Sequence, residues 1–296
     1  MIPHRYLTCR VEREMSGQTG KIAVLFTGAL LCAHAQWLNY PSPGTPRTRD
    51  GKPNLAAKTP RASNGKPDLS GVWQTELAPP GENERLFGDV FAYAVVPGDD
   101  PRTFSKYFFN VLADFKPEDT PIRPAAAELA RRNAESARDN PSAQCLPQGI
   151  VRADVLSYNP FKIIQTPVVT AILYEADNTF RQVYTDGRKL PVDLQPAWLG
   201  YSVGKWEGDT LVVDSAGFND RSWLDAFGHP HSEELKVQER FHRRDFGHMD
   251  LQLTIDDPKM YTRPFTIKVT EVLVPDSDIL EYVCEKEMDL SHLPGR

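Results

Sequence analysis

The chain has 296 residues, 25% of them charged and 40% hydrophobic. That length buries one sizeable core or two small ones, and the composition is too polar for a membrane-embedded protein. A formal charge of −6, from 34 Lys and Arg against 40 Asp and Glu, argues against nucleic acid as the main partner, since phosphate binding needs a basic surface or stripe. The one short basic run, residues 240–244, is interrupted by Phe241 and followed by Asp245.

Residues 22–35 read IAVLFTGALLCAHA behind Lys21, a run too short for a bilayer, which needs about 20 residues. It ends in Ala33-His34-Ala35, a small-x-small cleavage pattern, so residues 1–35 are expected to be a signal peptide and the mature chain to begin at Gln36. Met15 is a better start than Met1, because residues 1–14 are unusually polar for such a signal. Leu31 is too large for a lipoprotein cleavage site before Cys32. The expected location is periplasmic or secreted. Cleavage removes Cys9 and Cys32 and leaves Cys145 and Cys284. In an oxidising compartment these two either pair, closing a long loop worth about 3–5 kcal/mol in chain entropy, or stay as buried thiols.

Residues 36–68 form a Pro/Gly-rich lead with a near-duplicate, DGKPNL at 50–55 and NGKPDL at 64–69, and read as an extended linker. A single β-rich domain is expected over 69–296. Residues 78–122 carry clustered aromatics (Phe87, Phe91, Tyr93, Phe104, Tyr107, Phe108, Phe109, Phe115) of ambiguous type. Residues 124–138 are the one clear helix, with Pro124 in the first turn and Asn140-Pro141 as the stop. From Phe161 the spacing predicts short strands at 161–165, 168–175, 179–185, 199–206, 210–214, 235–243, 248–255, 264–273 and 279–284, separated by Gly, Asp, Asn and Pro turns. The fold class expected is mainly β, an antiparallel lipocalin-like β-barrel or a sandwich, with one or two peripheral helices.

The segments DLSGVW (68–73), YEADNTFR (174–181), WEGDTLVV (206–213), GFND (217–220), GHPHSE (228–233) and ERFHRRDFGHM (239–249) resemble a family of exported bacterial proteins. The resemblance covers roughly residues 68–290 and implies export but no particular activity. The Gly-x-Trp before a meander also resembles lipocalin-type barrels, where such a Trp closes one end.

Four of the seven His fall in residues 229–248. Alternation predicts that Leu235, Val237, Glu239 and Phe241 share one face, and that residues of the 235–243 and 248–255 strands pair when their numbers sum to an even value. A sum of 490 sets Arg240 opposite Asp250 and His242 opposite His248. It leaves His229 and His231 beyond the other end of the hairpin, so the cluster divides into two candidate sites. At the far end, His229, His231, Asp256 and Asp257 are candidate ligands for one divalent transition metal (Zn, Cu or Fe), or bases, with Asp220 as a catalytic carboxylate. The alternative there is a solvated polar loop. His242 and His248 are the second candidate site. Glu239, a carboxylate on an apolar stripe, is either a general base of raised pKa or the partner of an inward Arg, for which Arg181 is the candidate.

No nucleophile, Walker or dinucleotide motif is present. The sequence therefore leaves three readings: an enzyme (hydrolase, lyase or isomerase) acting on a small organic molecule, a carrier using Trp73, Trp198, Tyr201 and Trp223 as stacking surface, or an envelope interaction module. A small organic molecule is the expected partner. Nucleic acid, a membrane span and a protein partner are not.

Overall fold

The computed structural model describes residues 41–88, 101–136 and 139–284. The expected signal segment, Phe91 and Tyr93 lie outside them. Nine strands close into one barrel: β1 (Gly71–Thr75), β2 (Phe161–Gln165), β3 (Val169–Tyr174), β4 (Phe180–Tyr184), β5 (Tyr201–Glu207), β6 (Thr210–Ala216), β7 (Lys236–Arg243), β8 (His248–Asp256) and β9 (Phe265–Leu273). β1 pairs with both β2 and β9, so no strand edge is left open. Four short helices accompany the barrel: α1 (Glu82–Phe87), α2 (Lys106–Phe109), α3 (Pro124–Glu135) and α4 (Ile150–Ala153). Among the described residues no helix is long and apolar enough to cross a membrane.

The alternation read from the sequence decides which face is inside. On β8, Met249, Leu251, Leu253 and Ile255 are buried, and on β7 so are Val237, Glu239, Phe241 and Arg243. The barrel interior is thus built from one residue in two along each strand.

Three expectations need correction. The barrel is mixed rather than antiparallel, because β4 and β5 run parallel. The connection 185–200 is far longer than a hairpin loop and holds Pro191 and Pro196. It travels back along the barrel before β5 starts, which only a crossover of a dozen or so residues permits. The β7–β8 register sums to 492, not 490: His242 faces Asp250, Arg240 faces Gln252, and Arg243 faces Met249. The cause is a tighter turn over 245–247. Asp245 Oδ1 accepts from the main-chain N–H groups of Gly247 (2.9 Å) and His248 (2.8 Å), and Arg244 N–H donates to His248 O (3.0 Å). The parity of the register, and so the buried face, is unchanged by a two-residue shift. Finally, residues 279–284 form no strand. A closed barrel offers them no edge, and they are held by Leu280 N–H on Glu175 and by the Cys145–Cys284 disulfide.

One end of the barrel carries the 245–247 turn and the N-terminal lead. The lead folds as two equivalent turns, bridged at Arg47–Pro53 and Arg61–Pro67, in which each Arg donates to the carbonyl of the turn Gly (Gly51, Gly65). Arg47 pairs with Asp276 at 2.6 Å and Arg61 bidentately with Asp209 at 2.6 Å. Phe246 and Gly247 N–H groups donate to Ala57 and Leu55 carbonyls, each at 2.7 Å, and a Cβ on Gly247 would overlap Leu55. Inside this end, Arg243 lies over the rings of Trp73 and Phe246 and donates only to carbonyls, those of Asp68, Ser70, Asp245 and Phe246. Burial lowers its pKa to about 10.

The opposite end is closed by α4 and its flanks, buried throughout 148–157, and by the loop between β6 and β7. The aromatic segment 104–112 packs here, with Phe104 against Tyr158 at 4.6 Å between centroids and Phe104, Phe108 and Phe109 in mutual contact.

Candidate functional site

Below this end lies a buried polar cluster. Arg181 of β4 holds Glu239 of β7 bidentately, through Nη1 at 2.7 Å and through Nη2, and Nη2 also reaches Asp154 at 3.4 Å. Asp154, at the end of α4, accepts from the Tyr174 hydroxyl at 2.6 Å, and Thr75 Oγ1 donates to Glu271 at 3.1 Å. Burial pushes the Asp154 and Glu271 carboxyls well above the usual carboxylate range; Arg181 opposes this at Asp154, and the Asp154 charge adds to it at Glu271. Burial thus favours the neutral form of Glu271, whose Oε2 has no partner. Glu239, a candidate base in the sequence, is fully enclosed and spent on Arg181. It is one side of a buried ion pair and not an accessible catalyst.

The β6–β7 loop builds a different constellation. It folds back on itself at an antiparallel bridge, Trp223–Pro230, with Leu224 N–H on His229 O at 2.9 Å and Gly228 at the bend in left-handed backbone (φ 82°). Continuing that pairing outward puts Ser222 opposite His231. The loop is fastened on every side. Ala226 and Phe227 N–H groups donate to Phe108 and Phe109 carbonyls, Asn133 of α3 donates to Gly228 O at 2.8 Å, and the Tyr261 hydroxyl donates to Pro230 O at 3.0 Å.

Two imidazoles in this loop are held in opposite ways. His229 Nδ1 lies 2.6 Å from Asp225 Oδ2, and the fully buried Asp225 also accepts from Val111 N–H at 2.8 Å and His229 N–H at 3.1 Å. Burial works against a charge on His229, but the Asp225 carboxylate outweighs it and the pKa rises above its ordinary value. His231, 3% exposed, places Nε2 2.7 Å from Ser222 Oγ and Nδ1 3.2 Å from Ser232 O. Burial lowers its pKa, outweighing the Ser232 carbonyl and the Asp257 charge, and the ring is neutral at pH 7. Asp257 Oδ1 accepts from Ser232 Oγ (2.9 Å) and the main-chain N–H of Lys259 and Met260 (3.0 and 3.2 Å), and its Oδ2 from Ser232 N–H (2.5 Å), fixing the carbonyl that orients His231.

Ser222 and His231 line a cavity of about 10 Å³, the space of one water, with Gln148, Gly149, Ile150, Val151, Phe218, Trp223, Leu224 and Leu235. The wall is mostly apolar. Gln148 is 5% exposed, and its Oε1 has no partner.

The far-end grouping read from the sequence thus gathers His231, Asp257 and Trp223, with His229 in the same loop. It does not form the four-ligand set. His229 is spent on Asp225, His231 on Ser222 and Ser232, and Asp257 on Ser232 and two main-chain N–H groups, while Asp256 sits opposite Lys236 at the end of β8. Among the described residues no group of three or more His, Cys, Asp and Glu could hold a metal ion. Asp220 is exposed and outside the cavity wall. Of the four aromatic positions, only Trp223 lines the cavity. Trp73 is fully buried, its Nε1–H on Leu69 O at 2.9 Å, so it cannot stack on a ligand. Trp198 lies under Arg221, and Tyr201 stacks on Tyr184 at 5.3 Å. The second candidate pair is apart: His242 is exposed beside Thr210, and His248 Nδ1 is bound to Asp245 at 2.8 Å.

Sequence reasoning places Asp225 in this loop beside the two His, and missed Ser222 and Gln148. Only the Gly228 bend, read as a hairpin centre, would have set Ser222 against His231. Compared with protein-family models, curated proteins and solved structures, the chain finds no match in any of the three.

Proposed function

We propose that this chain is an exported enzyme that acts on a small organic molecule by histidine-dependent acid–base chemistry at the α4 end of the barrel. The observation that carries this reading is the pair of imidazoles two residues apart in one fixed loop, His229 held towards its charged form by Asp225 and His231 held neutral. Titratable groups pushed in opposite directions divide the labour of acid and base. His231 is the base, with Nε2 directed at Ser222 on the cavity wall, and His229, two residues away in the same loop and outside that wall, is the second titrating group. Hydrolysis, elimination and isomerisation all need such a division. Export is supported by the apolar run at 22–35, which ends in Ala-His-Ala, and by the Cys145–Cys284 disulfide, a bond that persists in oxidising compartments.

The test is a panel of small chromogenic esters, lactones and enolisable ketones, assayed with the wild-type chain, His231→Gln and His229→Asn. Turnover of at least one class is expected, falling by about 10²–10⁴-fold in His231→Gln. Turnover that is indifferent to both substitutions would overturn the reading. So would saturable binding with no turnover across the panel, which is the behaviour of a carrier.

A further inference from the structure

We propose that Ser222 is a covalent nucleophile for small acyl esters, with His231 as its general base and the Ser232 carbonyl as the group that orients the imidazole. The inference deepens the acid–base reading above and rests on it.

Several observations converge on this one oxygen. Ser222 Oγ is 2.7 Å from His231 Nε2. The ring's other nitrogen faces a carbonyl, which only accepts, so the ring proton sits on Nδ1 and Nε2 offers its lone pair to the serine hydroxyl. That is the arrangement of an activated nucleophile: a hydroxyl on its base, and the base fixed by a third group. Asp257 holds the third group through both the N–H and the hydroxyl of Ser232.

The cavity wall beside Ser222 is also kept open. Gly149, in left-handed backbone (φ 81°), carries no side chain, and a Cβ there would stand 2.6 Å from Ser222 Oγ. Gln148 stands on the same wall, and its buried Oε1 has no partner. The space of about 10 Å³ among Ile150, Val151, Phe218, Trp223 and Leu235 is that of one water, so only the carbonyl end of the smallest acyl groups fits there, with the alcohol part outside.

The reaction balances with water alone. Ser222 Oγ bonds to the ester carbonyl carbon while its proton moves to Nε2. Collapse of the adduct breaks the carbon–alkoxide bond, and Nε2 returns the proton to the departing alcohol, leaving acetyl on Ser222. Water then adds to that carbonyl, giving its proton to Nε2; the acyl–Oγ bond breaks, and Oγ recovers the proton as acetate leaves.

The full chain would be treated with methanesulfonyl fluoride, a serine reagent of about acetyl size, with intact mass and peptide mapping as the readout, and separately with 4-nitrophenyl acetate. One adduct is expected, at Ser222, absent in Ser222→Ala and formed at least about 100-fold more slowly in His231→Gln. Its rate should fall less between pH 8 and 6.5 than a base of ordinary imidazole pKa would make it. Should Ser222→Ala not fold, Ser222→Cys keeps the contact and should be alkylated by iodoacetamide well below the ordinary thiol pKa, in a His231-dependent way. No adduct at Ser222, or one that forms equally fast without His231, would overturn the nucleophile and make the contact a packing one. If the substrate panel still shows His231-dependent turnover, the acid–base reading stands without it; if both fail, both are wrong.

Discussion

Removing Arg181 should be among the most damaging single changes to this fold. Its guanidinium is 3% exposed and is the only cation in contact with Glu239 and Asp154 among the described residues, both carboxyls being fully enclosed. Arg181→Met leaves Glu239 buried and unpaired, a change that costs about 3–5 kcal/mol where one partner of a buried pair is lost. Changing both partners, Arg181→Met with Glu239→Leu, removes the stranded charge and replaces the pair with apolar bulk. That double variant should lie within about 1–2 kcal/mol of wild type. The non-additivity, about 2–4 kcal/mol, is the quantity to measure by urea unfolding of the four chains at pH 7. An Arg181→Met chain within about 1 kcal/mol of wild type, or a double variant as unstable as the sum of the singles, would refute the buried-pair account.

Three further outcomes follow from the structure. Replacing Cys145 and Cys284 by Ala releases a loop with a sequence separation of 139 and should cost about 5 kcal/mol by the chain-entropy argument, read as a lowered urea midpoint against the oxidised chain. Burial, opposed by Arg152, raises the Asp177 carboxyl to about 6. A raised carboxyl is neutral in both states below pH 3.8 and costs stability as pH rises through 6, so Asp177→Asn, which suits the same left-handed backbone, should stabilise by about 1–3 kcal/mol at pH 8 and not at pH 3.5. Gly247→Ala forces a methyl into Leu55 and should detach the lead, seen as faster tryptic cleavage at Lys58 and Arg61 while the barrel core stays resistant.

The strands were legible where one face is buried. β2 to β9 fall within a residue or two of the spans read from alternation, because period-2 burial leaves a direct mark in the residues. Pairing parity was legible for the same reason, while the register number was not: it is set by the hydrogen bonds of Asp245 inside a turn, and a two-residue shift leaves every face as it was. The parallel step from β4 to β5 was hidden because its crossover has no helix to announce it. The pairing of Glu239 with Arg181 was foreseeable, since an inward carboxylate on an apolar stripe needs an inward cation. Ser222 carries no such mark. Its neighbours, Arg221 and Trp223, form no nucleophile motif, and only the bend at Gly228 brings it to His231.

The most direct test of the acid–base account is the protonation of the two imidazoles in the intact chain, followed by long-range ¹H–¹⁵N spectra of histidine-labelled protein and assigned with His231→Gln and His229→Asn. The account predicts that His231 carries its proton on Nδ1 and stays neutral as pH falls past 6.5. It predicts that His229 remains charged above that value. In stability the signs are opposite: the His231 contribution is present above pH 6.5 and lost as pH falls through its lowered pKa, while that of His229 is present below 6.5 and lost as pH rises through its raised pKa. Two rings titrating together near 6.5, or a His231 that charges before His229, would contradict it.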